Sequence, residues 1–249
     1  MIISVASGKG GTGKTTVAVN LVLSLGNRAM YVDCDVEEPN GHLFLRPEIT
    51  ENTEVSTFIP EIDEALCDGC RKCAEICRYR AIAVVGSKVL VFPELCHSCE
   101  GCLVVCPQGA VRHGKRVLGE LEKGRCAENI PFRQGRLRIG EAMAPPLIRA
   151  VRQDCNDAPV VIIDAPPGTS CPAIAATRNS DFVLMVTEPT PFGLHDLKLA
   201  VDAVSSMNIP CGLVINRADM GDDKVREYAA EKGMEILLEI PFSRKIAEA

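Results

Sequence analysis

Tryptophan does not occur in this chain, and Phe and Tyr together bring the aromatic content to only 4%. With so few ring faces, a stacking platform for single-stranded nucleic acid is excluded. The formal net charge of −6 points the same way, because a phosphate-backbone binder needs a cationic surface. No uninterrupted apolar run approaches the ~20 residues of a bilayer span, so no membrane span is expected. The opening MIISVASGKGG lacks the layout of a signal peptide, so a cytoplasmic protein is expected. What the 249 residues do contain is 47% hydrophobic content, enough for one sizeable core and a small satellite. They also contain thirteen cysteines, which in a reducing compartment point to metal and not to disulfides.

Eight of these cysteines fall into two matching runs. Cys67, Cys70, Cys73 and Cys77 form the first; Cys96, Cys99, Cys102 and Cys106 form the second. Each reads C-x2-C-x2-C-x3-C, the bacterial ferredoxin spacing, in which the fourth cysteine ligates the other run's cluster. One [4Fe-4S] cluster is therefore expected on Cys67, Cys70, Cys73 and Cys106, and a second on Cys77, Cys96, Cys99 and Cys102. Structural zinc needs only two C-x2-C pairs and no third cysteine at the same step. Pro107 follows the second run as the pattern asks, but Arg78 stands where the first run would have proline. A looser turn is expected there. The near repeat of CDGCRKCAEIC and CHSCEGCLVVC suggests an internally duplicated ferredoxin unit. Strand-like stretches at 82–85 and 89–92 separate its cluster loops. His97, between two ligands, is given no role.

The N-terminus reads strand, glycine-rich loop, helix. Gly8-Lys9-Gly10-Gly11-Thr12-Gly13-Lys14-Thr15 matches G-x-x-x-x-G-K-[ST], with Thr16 continuing into an apolar helix that Gly26 ends. Glycines let backbone N–H groups crowd around phosphates, and the helix N-terminus adds its positive end. Lys14 would reach the β- and γ-phosphates of ATP, and the Thr15 hydroxyl would ligate Mg²⁺.

Lys9 discriminates further, because a second lysine early in the loop is a deviant phosphate-loop signature. On these residues the chain resembles the MinD/ParA/nitrogenase iron protein family of P-loop ATPases. The resemblance implies a homodimer that closes on ATP, with Lys9 reaching the partner's nucleotide as an arginine finger does. The ordinary reading of Lys9 is an exposed, solvated lysine. Tyr31-Val32-Asp33-Cys34-Asp35 and the following residues 36–40 resemble switch I. By that resemblance Asp35 would position or deprotonate the attacking water, and Asp33 would support the loop or the magnesium shell. Asp164-Ala165-Pro166-Pro167-Gly168-Thr169 resembles Walker B running into switch II, which makes Asp164 a magnesium or γ-phosphate residue. Magnesium would thus be held through Thr15, Asp35 and Asp164. Asn216, followed by Arg217, resembles the residue that reads the adenine edge, although an Asn opening a loop is common anyway. Pro241-Phe242-Ser243 resembles the adenine-side loop.

Strand patterns are expected near 2–6, 29–33, 159–164, 182–187, 211–215 and 235–239. Helices are expected near 14–25, 145–155, 172–179, 192–207 and 222–232. Such alternation predicts an α/β fold: a doubly wound, mostly parallel sheet with helices on both faces. Residues 1–59 and 116–249 would form a discontinuous P-loop ATPase domain, and 60–115 an inserted α+β ferredoxin domain. This combination resembles MinD-superfamily ATPases that carry such an insert. One more helix is expected around 246–249, and MinD's amphipathic membrane tail is not visible.

Cys34 and Cys211 lie in or beside apolar strands and read as small buried residues. Cys171 lies near where the nitrogenase iron protein places a ligand of its shared cluster, so it is a candidate dimer-bridging ligand. A buried or helix-start cysteine is the plainer reading, since residues 135–146 offer no second cysteine. The closely spaced C-x-x-C of Mrp-type cluster carriers is also missing. Three tasks fit these features: an ATP-gated electron-transfer module serving a redox partner, a factor for iron–sulfur or metallocofactor assembly, and an ATP-dependent positioning switch.

Overall fold

This computed structural model describes residues 1–155 and 157–245. From the N-terminus, β1 (Ile2–Ala6) leads into α1 (Lys14–Leu25), then β2 (Ala29–Asp33) and the short α2 (Gly41–Leu45). A long strand, β3 (Glu48–Ile62), enters the cysteine segment of α3 (Lys72–Ile76), β4 (Ile82–Val85), β5 (Lys88–Val91) and α4 (Gly101–Val105). The chain returns along β6 (Val111–Arg125) and β7 (Pro131–Leu137). It then alternates through α5 (Ala144–Arg152), β8 (Val160–Asp164), α6 (Cys171–Thr177) and β9 (Phe182–Thr187). α7 (Pro191–Ser206), β10 (Cys211–Asn216), α8 (Lys224–Lys232) and β11 (Ile236–Ile240) complete it. The helix expected around 246–249 lies outside the described residues.

Nine strands form one sheet in the order β11-β10-β9-β1-β8-β2-β7-β6-β3. Neighbours from β11 to β7 are parallel, whereas β7–β6 and β6–β3 are antiparallel. The sheet is therefore mostly parallel, as the strand–helix alternation predicts. Side chains alternate between its faces with the strand period of two. Met30, Val32, Val161 and Ile163 pack on one face with α5, α6, α7 and α8; Tyr31, Ile162, Leu184 and Val186 pack on the other with α1. β1 lies between β8 and β9, so connections leave in opposite directions from its carboxyl end and open a crevice there. Among the described residues no helix is long and apolar enough to cross a membrane.

The alternation of patterns places no strand at 48–62, 111–125 or 131–137, and all three are strands. β3 and β6 form a ribbon of 15 residues each. Their polar composition hides them, because β3 is an edge strand exposed along most of its length and needs no apolar face. β7 is hidden by Arg133 and Gln134, both buried yet both bonded: Arg133 to the carbonyls of Gln153 and Asp154, Gln134 to Glu122. The ribbon runs unbroken past residues 60 and 115, and the segment it encloses has its own two-stranded β4–β5 sheet. α5 stops at Arg152, short of the expected 155, because Gln153 turns to extended backbone.

Candidate functional site

β1 delivers the glycine-rich loop to the crevice. Gly13 caps α1 in a left-handed conformation, φ 89°, where a Cβ would also collide with Asn216. Gly8 lies against the backbone of α7 at Asp196 and has no room for a side chain. At Gly10 and Gly11, by contrast, an added Cβ meets nothing within 4 Å, so the loop's remaining face is open. The Thr12 hydroxyl is buried without a protein partner, and the first N–H groups of α1 end at the same place. Open backbone donors, a helix N-terminus and an orphaned hydroxyl together fit a phosphate group.

Beside the loop sits a buried acidic cluster with one cation. Lys14, itself buried, donates to Asp164 Oδ1. Asp164 Oδ2 accepts from the Tyr31 hydroxyl at 2.9 Å. Asp33, at the end of β2, accepts the backbone N–H of Asp35 and of Gly41, each at 3.0 Å, and so holds the loop between them. Burial lifts the Asp33 carboxyl to about 7, and the Asp164 charge adds to the rise. Asp35 is lifted to about 6, again mainly by burial, with Lys14 pulling the other way. One ammonium facing three carboxyls leaves room for further positive charge. Magnesium needs only one or two such carboxylates beside waters and phosphates, and Thr15 lies on the adjoining first turn of α1. The structure places Lys14 in contact with Asp164 and both near Asp35.

Lys9 points elsewhere. Its Nζ lies 3.7 Å from Glu188 Oε2, while Arg217 Nη1 lies 2.9 Å from Glu188 Oε1. Glu188 is buried just beyond β9 and was missed by sequence reasoning. Its only signal there is an acid ending the apolar run of residues 182–187. The Asn216 amide donates to the Thr12 carbonyl at 2.8 Å and so braces the loop from within. Arg217 follows with φ 52°, and Pro241 is exposed past β11.

The two cysteine runs fold alike. α3 and α4 are each five residues long, and each begins after a left-handed residue, Arg71 (φ 67°) and Glu100 (φ 59°). The fourth cysteine of each run accepts a backbone N–H four residues on: Cys77 from Ala81 and Cys106 from Ala110, both at 3.3 Å. Cys67, Cys70, Cys73 and Cys106 line one cavity together with apolar Ile62 and Val111; Cys77 does not line it. Cys102 keeps company with Cys96 and Cys99; burial pushes its thiol up to about 11, and those two neighbours add to the rise. Among the described residues no three His, Cys, Asp or Glu converge tightly enough to hold a single metal ion, unlike a tetrahedral zinc knot. Four thiols around one cavity, with an N–H donor on the sulfur of Cys106, match the ligand number of a [4Fe-4S] cluster. Of the other cysteines, Cys34 and Cys126 are buried, Cys155 and Cys211 half-buried. Cys171 is exposed at the first residue of α6.

Arg116 joins the two regions. It is buried on β6, donates to the carbonyls of Pro93 and Cys96, and pairs with Glu141 at 3.3 Å. Glu141 in turn accepts the N–H of Met143, the residue that caps α5. Neither residue carries a sequence signal.

The CobQ/CobB/MinD/ParA nucleotide binding domain model matches residues 3–249. An uncharacterised protein of Methanocaldococcus jannaschii is 30% identical over 253 residues, covering 100% of this chain and 88% of its own. An iron–sulfur cluster carrier protein of Pyrococcus abyssi is 25% identical over 266 residues, covering 99% and 76% respectively. Among solved structures, the septum site-determining protein MinD of Pyrococcus horikoshii, complexed with Mg-ADP, superposes with a TM-score of 0.55. Its identity is 20%, over 99% of this chain and 83% of that one, so it speaks for the fold alone.

Proposed function

This chain belongs to the CobQ/CobB/MinD/ParA nucleotide-binding family, and we propose that it is an ATPase that gates electron transfer. In this reading a homodimer closes on MgATP, and closure controls electron exchange between two [4Fe-4S] clusters in an inserted ferredoxin domain, 60–115, and a partner protein. Lys14 and the loop backbone bind the phosphates, Thr15, Asp35 and Asp164 surround magnesium, and Asp35 orients water. Lys9 leaves Glu188 to act across the dimer. When bound, the clusters supply one-electron carriage. Cys67, Cys70, Cys73 and Cys106 would hold one, and Cys77, Cys96, Cys99 and Cys102 the other.

The observation that carries this reading is the cavity lined by the first three cysteines of one run and the fourth of the other. That set matches the expected cross-ligation better than a sequential set of Cys67 to Cys77 does. The buried Arg116–Glu141 pair supports the coupling, since it ties the loop before Cys96 to the cap of α5. α5 packs on α6, which follows directly from the Asp164 loop. Anaerobically purified protein should hold about eight irons per chain, and MgATP should change the rate at which its lobe is reduced. Four irons or fewer removes the cross-ligation, and an unchanged rate removes the gating.

The relatives bearing the cluster-carrier name favour a second reading, assembly or carriage of a cluster for another protein. ATP-stimulated transfer of iron and sulfide to an apo-acceptor would select it over gating. The exposed Cys171 would then be the residue to replace, as the candidate ligand shared between subunits.

A further inference from the structure

Because the two cysteine runs fold alike, each serves as a control for the other. Arg71 matches Glu100, Lys72 matches Gly101, Arg78 matches Pro107 and Arg80 matches Gly109. At every one of these positions the first run carries a cation and the second does not. All four cations are exposed, and no ion pair among the described residues involves them. Arg80 is the most telling. It holds φ 53° where its match is Gly109 at φ 60°, a conformation that costs a side-chain-bearing residue about 1–2 kcal/mol. Local stability alone would favour glycine there. Strain kept for the sake of a guanidinium points to a use for the charge.

The surroundings show where that use lies. Tyr79, between Arg78 and Arg80, stacks on His97 with ring centroids 3.6 Å apart and planes at 9°. Both rings are exposed, two residues after Cys77 and one after Cys96. Ile76 and Val104 add apolar surface in the same lobe, 41% and 80% exposed. Arg78 and Arg80 flank Tyr79 in sequence, so cations border the stacked rings, and aromatic surface with arginine beside it is typical of a docking patch. Its charge is opposite to the net −6 of the whole chain.

We propose that Arg78 and Arg80, flanking Tyr79 in its stack with His97, dock a small acidic one-electron carrier protein, with Arg71 and Lys72 of the same run adding to the attraction. This rests on the reading of the lobe as cluster-bearing. The net charge of −6 repels an anionic partner overall while these exposed cations attract it, which both steers and orients it. Docking makes and breaks no bond; the one electron the carrier gives up is the one the lobe takes on.

The test is calorimetric titration of iron-loaded holoprotein with a purified acidic ferredoxin, anaerobically, at low and at physiological ionic strength. The Lys72→Gln/Arg78→Gln/Arg80→Gln variant should raise Kd at least about tenfold at low salt. It should also lose most of the wild-type salt dependence, with iron content and partner-free ATP turnover unchanged. Arg80→Gly alone should raise Tm while weakening ferredoxin binding, a pairing that a structural role for Arg80 cannot give. An unchanged Kd in the triple variant overturns the proposal. So does tighter binding of the basic carrier cytochrome c than of ferredoxin, or binding of a single-stranded oligonucleotide that the triple variant alone loses. Protein that purifies without iron overturns the underlying cluster reading instead, so the two failures are distinguishable.

Discussion

The nucleotide crevice and the cysteine lobe are held in shape by opposite means. Around the crevice, apolar clusters pack against both sheet faces, with Met30, Tyr31, Leu147, Ile162 and Ile163 essentially inaccessible to solvent. The loop chemistry is laid over a scaffold that stands without it. The lobe buries only Ile82, Cys102 and Val111 as a cluster of its own, and its regularity comes from turns and N–H bonds to sulfur. A unit with so small a core needs a staple, and metal–thiolate bonds are one. On the proposed cluster reading, function and folding are separable in the crevice and fused in the lobe.

Lys9→Ala gives the largest expected effect and the cleanest separation. By analogy with a trans-acting arginine, turnover should fall by about 10³–10⁵, with nucleotide affinity and thermal stability nearly unchanged. Single-turnover hydrolysis beside nucleotide titration measures both; normal turnover would remove the trans role. Glu188→Gln should leave Lys9 without its partner in the same chain and shift the concentration at which ATP drives dimerisation.

The separation has one exception inside the crevice. Lys14→Met strands Asp164, which is wholly buried, and should cost roughly 3–5 kcal/mol of stability as well as phosphate binding. Lys14→Met/Asp164→Asn should recover most of that stability and none of the binding. Equal unfolding midpoints for the single and double variants would show that the buried pair is not what holds this spot.

How much of this could be read from residues alone follows the same division. The phosphate loop, the cysteine spacing and the apolar strands are local patterns; Asp35 and Asp164 were legible only by resemblance, and the structure places both near Lys14. The β3–β6 ribbon was illegible because edge position, not composition, licenses its polarity. Glu188 and Glu141 were illegible for a different reason. Each acts on a cation far along the chain, Lys9 and Arg116, and no spacing rule links such pairs. Asn216 shows a third case: the resemblance assigns it to the adenine edge, and the structure adds a brace to Thr12 that no motif announces.

Paired truncations measure the packing difference directly. Leu147→Ala on α5 removes a side chain with no solvent exposure and should cost about 2–5 kcal/mol, read as faster amide exchange across the sheet. Ile82→Ala in the lobe should cost less in iron-loaded protein, and should accelerate exchange only within residues 63–110. Removing iron with a chelator should expose that same segment while the sheet stays protected. If stripping the iron leaves lobe exchange unchanged, the lobe has a core that the cluster of Ile82, Cys102 and Val111 does not reveal.

The smallest effect probes the join between the two regions. Glu141→Gln keeps size and hydrogen-bonding capacity but removes the charge opposite Arg116, whose other partners are the carbonyls of Pro93 and Cys96. Arg116 stays bonded to the cysteine loop, so iron content and basal ATP turnover should hold. What weakens is the tie to α5, and with it any signal passing from the Asp164 loop through α6. Coupling between sites is typically about 1–3 kcal/mol, so losing most of it should cut the MgATP effect on lobe reduction about fivefold or more. A variant that keeps the full MgATP effect would leave crevice and lobe connected by some other route, and Arg116–Glu141 as packing alone.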